Sequence, residues 1–193
     1  IYTKSTQYKY GFKNPNSWIN SCEKLFDNLP PEIKNNLTKI AISGTSGTLT
    51  ACNFMGEIFG EAIPYYEQCN ENRLLIESLT IEEEHLQTPF SSLAKALKLI
   101  DKYGNKILLR HQSDWITGWF LKDWTYGEEG NNVKLGWDLI KEAWPESYLK
   151  TSLRECLPQI IKSGEIMGTI HSEVAERFKL NKKILLISGT TDS

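Results

Sequence analysis

No apolar run in the sequence approaches the about 20 residues that a membrane-spanning helix needs; the longest, such as Ile184–Ile187, are far shorter. Residues 1–20 show no basic segment followed by an apolar stretch, so no signal peptide is visible there. No Cys-x-x-Cys pair occurs. Cys22, Cys52, Cys69 and Cys156 lie far apart, which removes the usual zinc and thioredoxin-type motifs. The three histidines, His85, His111 and His171, are scattered and make no metal cluster. Charge of one sign is also missing: 22 Lys+Arg stand against 24 Asp+Glu, a net charge of −2. Nucleic-acid-binding modules normally carry a basic excess, so the balance argues against that partner. Free, mostly buried thiols in a reducing cytoplasm are the expectation.

What is present is ordinary for a globular chain. Six Trp and eight Tyr in 193 residues are too many for a disordered segment. The length allows one large domain, or one domain and a piece of another, and a core that needs no metal or disulfide. The chain opens on Ile1-Tyr2-Thr3 without an initiator Met and stops at Ser193 inside a polar turn. The expectation is a fragment, incomplete at both ends.

Periodicity predicts the elements. Alternation over 1–10 reads as a strand, with Tyr2, Tyr8 and Tyr10 on one parity. Trp18, Ile19, Cys22, Leu25, Phe26 and Leu29 follow helical spacing up to Pro30-Pro31, which permits a second short helix through Leu37. Lys39–Ser43 reads as a buried strand, Leu49–Asn53 as another, Asn53–Gly56 as a hairpin turn and Ala62–Glu67 as a further strand. Helices are predicted at 72–79, 91–103 (stopped by Gly104), 106–121, in part over 135–144, and at 172–180 with Ser172 as cap. The acidic run 82–84 reads as a solvated loop. Lys183–Ile187 is a second buried strand. Mixed strands and helices make the class α/β.

Both buried strands end in the same turn: Ile40-Ala-Ile-Ser-Gly-Thr echoes Leu185-Leu-Ile-Ser-Gly-Thr. Ligands of α/β sheets bind at the carboxyl ends of strands. Gly44, Gly47 and Gly189 permit close backbone approach, and Ser43, Thr45, Ser46 and Thr48 supply hydroxyls suited to a polyol or phosphate. The second turn adds a carboxylate, Asp192, that suits a general base acting on a substrate hydroxyl. Tight turns closed by their own Ser and Thr side chains, with Asp192 capping a following helix, account for the same residues structurally. No Lys follows either turn, which excludes a Walker loop. Gly44-Thr45-Ser46-Gly47-Thr48 lacks the last glycine of a nucleophile elbow, and no third glycine makes a dinucleotide fingerprint. Asp114 reads as a local hydrogen-bonding partner, His111 as a core histidine, and Glu128-Glu129 as sequence neighbours that need not face one site. Trp115, Trp119, Trp124, Trp137 and Trp144 fit sugar stacking or, more commonly, aromatic core packing.

Four segments, in order, give the chain a family likeness. They are Ile40–Thr48, the strand Ala62-Ile-Pro-Tyr-Tyr-Glu67, Asp114–Gly118 (DWITG), and the run from Leu157-Pro158 through Gly164 and Gly168 to Gly189-Thr-Thr-Asp192. Together they resemble the first, sugar-binding domain of the FGGY carbohydrate kinases over nearly all of residues 1–193. The SGTSGT turn, HQSDWITGW and the closing GTTDS look most like the ribulokinase/xylulokinase-like branch of cyanobacteria and plants.

The resemblance implies a ribonuclease-H-like (actin-like ATPase) domain with a mixed sheet flanked by helices. It implies a cytoplasmic enzyme that phosphorylates a ketopentose, D-ribulose or D-xylulose, with ATP and Mg2+. Asp192 becomes the general base. Ser43, Gly44, Thr45, Ser46 and Thr191 become sugar contacts, and Gly189 and Thr190 lie on the cofactor side. No residue is assigned to a metal. The family's Asp-x-Gly-Thr phosphate loop and its second, ATP-binding domain are not in the chain, so the isolated piece is expected to be inactive. The expected partners are the sugar, that second domain and a second copy of the chain. Two departures stand out: Thr45-Ser46-Gly47-Thr48 replaces the Gln-Met-His-Gly of xylulokinases, and Glu67-Gln68-Cys69 replaces an Asp-x-Arg. A non-catalytic carbohydrate-binding domain and, more weakly, a serine hydrolase built on Ser46 are the rivals.

Overall fold

The computed structural model describes residues 1–7, 11–81 and 83–192. Helix α1 (Pro15–Asp27) starts at Asn14, whose side chain accepts from the Asn16 amide, and buries Trp18 and Ile19. The short α2 (Pro31–Asn36) follows the Pro30-Pro31 break. Strand β1 (Lys39–Ala41) pairs in parallel with β7 (Leu185–Ile187), and β6 (Ile166–Thr169) pairs antiparallel to β7, giving the order β1-β7-β6.

A second ladder joins β2 (Leu49–Cys52) to β3 (Leu108–His111), antiparallel, with Leu49 opposite His111. Every residue of both strands is buried. Alternate side chains feed two separate apolar cores. Cys52 and Leu108 pack with Trp18, Trp115, Phe120, Phe178 and Leu186. Leu49, Ala51 and Leu109 pack with Leu93, Leu97, Tyr148 and Leu153. A third pair, β4 (Tyr126–Glu128) and β5 (Gln159–Ile161), is parallel.

Helix α4 (Ser92–Tyr103) is where it was predicted. Ser91 caps it by accepting from the Ala94 amide at 3.1 Å, and Gly104 at φ +79 ends it. Helix α3 (Arg73–Leu79) packs against α4. Helix α8 (Ser172–Phe178) is capped by His171, whose ring accepts from the Glu173 amide, and not by Ser172.

Other expectations are corrected. Residues 106–121 are not one helix: β3 runs to His111 and α5 (Gln112–Leu121) begins at the next residue. Residues 1–7 form no strand, and the remainder of the predicted strand, residues 8–10, lies outside the described residues. Residues 62–67 reduce to a single bridge, Ile63 to Leu49, because Pro64 cannot donate to a ladder. Residues 135–144 form turns, with Gly136 at φ +117 and Glu142 at φ +50. Strands β4, β5 and β6, α6 (Glu129–Val133) and α7 (Glu146–Leu149) were not foreseen.

Trp18, Trp115 and Trp124 belong to the core, and Trp119 and Trp144 pack against it half-buried. Trp115 Nε1 donates to Gly56 O, and Trp124 Nε1 donates to Trp115 O, both at 3.1 Å. Trp18 meets Trp115 edge-on at a 6.0 Å centroid distance, and Trp137 meets Trp144 at 5.3 Å. Each of these rings packs on or donates to another tryptophan of the chain.

Candidate active site

The parallel pairing of β1 with β7 carries both strand ends to the same edge of the sheet. It continues one step beyond the strands, where Gly44 and Thr191 bridge in parallel. The two Ser-Gly-Thr turns therefore lie side by side. The Ser46 amide donates to Asp192 Oδ1 at 2.9 Å. That bond, a further one from the Ser46 hydroxyl and the charge of Lys134 hold the Asp192 carboxyl below the usual carboxylate range. Asp192 is exposed, whereas Ser46 and Gly47 are buried.

Two glycines of these turns face the protein rather than an open cleft. A Cβ at Gly44 would lie 2.8 Å from Ser113 N, and one at Gly189 would lie 2.0 Å from Ile42 O. Close approach is real at both positions. It is the approach of β7's end to β1 and of the first turn to α5.

The first turn is anchored from below. The Thr45 amide donates to Gln112 Oε1 at 2.9 Å. Beneath it lies a buried polar cluster built on β3, α5 and α6. Asp114 Oδ1 accepts from the Glu128 amide at 2.9 Å, Oδ2 accepts from Asn132 Nδ2 at 3.0 Å, and His111 Nδ1 lies 3.7 Å from the same Oδ2. His111 Nε2 meets Ser92 Oγ at 2.9 Å. Glu128 accepts from the Gly130 and Asn131 amides, from Asn131 Nδ2 and from Ser163 Oγ. A buried carboxylate without a salt-bridging cation requires such a set of donors. Glu128 is thus the cap of α6, and Asp114 ties α5 to the start of α6.

Helix α6 delivers Lys134. Its ammonium donates to Ser46 Oγ at 2.5 Å, and its methylenes pass 3.6 Å from the position a Gly47 Cβ would take. Beside this contact opens a cavity of about 440 Å3 lined by Ser46, Gly47, Tyr65, His85, Phe90 and Lys134 among others. Lys95 holds two of these lining residues, Tyr65 and Phe90, by their carbonyls. It is fully buried and donates to Phe90 O at 2.5 Å and Tyr65 O at 3.4 Å. Desolvation pulls its pKa down to about 8.

Of the predicted residues, Gly44, Thr45, Ser46, Thr191 and Asp192 come together. Ser43 and Thr190 are exposed at the flanks of the two turns, and Gly189 packs on β1. Gln112, Glu128 and Lys134 were missed as contributors. A lone lysine in a polar helix end carries no spacing signal. Glu128-Glu129 was visible as a pair, but the fold sends its two members to different tasks. Among the described residues no group of three His, Cys, Asp or Glu gathers to hold a metal ion, and no helix is long and apolar enough to cross a membrane.

No protein-family model matches the chain. It is 26% identical over 220 residues to a xylulose kinase of Lactococcus lactis, covering 100% of this chain and 43% of that one. A xylulose kinase of Haemophilus influenzae is 26% identical over 209 residues, covering 94% and 42%. Solved structures of a xylulose kinase from Brucella ovis and a gluconate kinase from Lactobacillus acidophilus superpose with TM-scores of 0.80 and 0.78 at 18% and 15% identity; each match covers 98% of this chain and 42% of the other. The fold is that of the sugar kinases. Its mixed α/β architecture is the actin-like ATPase type that the sequence resemblance led us to expect. The chain spans less than half the length of the curated relatives it matches. In this sugar-kinase fold the joined turns sit where two parallel strands end, the usual ligand edge of such sheets.

Proposed function

We propose that the protein carrying this chain is a sugar kinase, that residues 1–193 form most of its sugar-binding domain, and that its substrate is a ketopentose, D-ribulose or D-xylulose. The observation that carries this is the contact of Asp192 with Ser46 at the joined strand ends. Asp192 Oδ1 accepts from the Ser46 amide, and the carboxylate is exposed, within reach of a sugar hydroxyl. Held below the usual carboxylate range, Asp192 is ionised at neutral pH and takes the proton as that hydroxyl oxygen attacks phosphorus. Thr45, Ser46 and Thr191 provide polar contacts for further hydroxyls. Within these kinases we place the chain in the ribulokinase/xylulokinase-like branch of cyanobacteria and plants, on the SGTSGT turn, HQSDWITGW and GTTDS.

The described residues do not fit a metal site, so no step is assigned here to Mg2+. ATP and Mg2+ are proposed to meet the sugar through a second domain that closes over this edge and excludes water, with Gly189 and Thr190 on that side. The isolated chain is proposed to be inactive for that reason. A cytoplasmic setting accords with four free cysteines.

The test is ATP consumption by the protein from the complete gene, with ribulose, xylulose and glycerol side by side. Ketopentose-dependent ADP release is the expected result. Saturable ketopentose binding without ATP consumption would replace the kinase by a carbohydrate-binding module. Labelling of Ser46 by a fluorophosphonate would favour the hydrolase.

A further inference from the structure

Ser46 makes contacts in two directions. Its hydroxyl receives a hydrogen bond from Lys134 Nζ at 2.5 Å and makes one to the Asp192 carboxylate, which the Ser46 amide also meets at 2.9 Å. An ammonium has three donors and no acceptor, so Lys134 occupies a lone pair of the Ser46 oxygen. The Ser46 proton is thereby turned onto the carboxylate. A hydroxyl that accepts from a cation is a better donor, because chained hydrogen bonds polarise one another.

Lys134 does not reach this place by chance of a loose side chain. Its carbonyl accepts from the Ser92 amide at 3.0 Å, which pins it to the start of α4. Its amide donates to Asn131 O at 3.3 Å, and its stem lies against Gly47. The buried Glu128 cap holds the helix that carries it.

We propose that Lys134 is a positioning residue for Asp192: the chain from Lys134 Nζ to Ser46 Oγ to the Asp192 carboxylate aims and holds the base. This rests on the assignment of Asp192 as the base, and goes beyond it by giving Lys134 a role in aiming that base. The groups facing Asp192 are Ser46 from the first turn, Thr191 beside it, and Lys134 from the end of α6. Glu128 lies behind Gly130, with its oxygens taken by amides and the Ser163 hydroxyl. Lys134 is therefore the cation in this set. Its removal shifts the Asp192 pKa upward, since a nearby positive charge favours the ionised carboxylate.

The experiment compares the complete protein with Lys134→Met and Lys134→Arg. The Asp192 carboxyl is followed by NMR titration, and kcat and KM for the ketopentose are measured across pH. Lys134→Met is expected to raise the Asp192 pKa and to lower kcat about tenfold near neutral pH, the loss of one charge-assisted hydrogen bond, with a smaller change in KM. The acidic limb of the rate profile should move upward with the titration. Lys134→Arg should restore the titration toward wild type. An unchanged Asp192 titration in a folded Lys134→Met protein overturns the proposal. If the wild-type protein consumes no ATP with any sugar, the kinase assignment fails, and the titration still decides the link between Lys134 and Asp192.

Discussion

Ser46 and Asp192, 146 residues apart in the sequence, are joined by a 2.9 Å hydrogen bond from the Ser46 amide to Asp192 Oδ1. The bond exists because β1 and β7 are parallel neighbours, so each strand's following turn leaves the sheet at the same edge. A repeated hexapeptide thus becomes one site with two walls. The first wall brings a hydroxyl and a backbone donor, and the second brings the carboxylate.

Replacing that carboxylate tests the site directly. Asp192→Asn keeps the shape and a carbonyl oxygen for the Ser46 amide, but it cannot take a proton. For the complete protein we expect kcat to fall roughly 100- to 10,000-fold, the usual worth of a general base. Ketopentose affinity by calorimetry and the thermal midpoint should change little, because Asp192 is exposed. A variant with wild-type kcat would remove Asp192 from the chemistry.

What was readable beforehand follows physical lines. Helix α4 announced itself through Ser91, Gly104 and the stripe Leu93, Ala96, Leu97 and Ile100, all of them local signals. The strands β1 and β7 were short apolar runs closed by glycine. The boundary at His111 was hidden because Ile107, His111, Trp115 and Trp119 are four apart. Four is an even number, so residues spaced this way also share one face of a strand, and the count cannot separate the two periods. Buried Arg110 obscured the strand further. Its guanidinium donates to Trp124 O, Leu109 O, Cys156 O and Thr125 O, partners that lie mostly far along the chain. At the site, the turns and Asp192 were legible as types of residue. The lysine that meets them was not, since its placement depends on Glu128, Asn131 and Ser92 acting together.

The buried Lys95 predicts a pH dependence of stability. Burial lowers its folded pKa to about 8, below the 10.5 of a free lysine. Between these values the unfolded chain binds the proton and the folded chain does not, so this contribution to stability rises as pH climbs from about 8 to 10.5. At neutral pH the folded protein carries the full cost of the buried charge, on the order of 3 kcal/mol. Chemical denaturation of the wild type should show this rise in alkaline buffer, and Lys95→Met should flatten it. Equal slopes for the two proteins would mean that the Lys95 ammonium is fully compensated by Phe90 O and Tyr65 O.

Gly118 separates core packing from ligand stacking as the role of the indoles. A Cβ there would lie 2.4 Å from Trp124 Cδ1 and 2.7 Å from its Nε1. Alanine favours a helix interior over glycine by about 1 kcal/mol. Here the rigid ring must move, at an overpacking cost of about 1–3 kcal/mol, and the bond from Trp124 to Trp115 O is strained or lost for about 1 kcal/mol more. Gly118→Ala should therefore destabilise by about 1–3 kcal/mol in denaturation and leave ketopentose affinity unaltered. A weakened affinity with unchanged stability would instead place Trp124 at the ligand.

The cysteines supply the last test, and it bears on the redox setting. Desolvation raises the thiol of Cys22 to about 11, Cys52 to about 12 and Cys156 to about 11. Cys69 is raised as well, with Lys98 pulling the other way. The thiolate is the reacting species, so at pH 7.5 the native protein should resist iodoacetamide at all four positions. Denatured in urea, it should alkylate fully within the same time. Mass spectrometry of tryptic peptides reads each cysteine separately. Fast labelling of Cys52, which is fully buried between β2 and the Trp18–Phe178 core, would require local opening of the β2–β3 ladder and would contradict the packing described above.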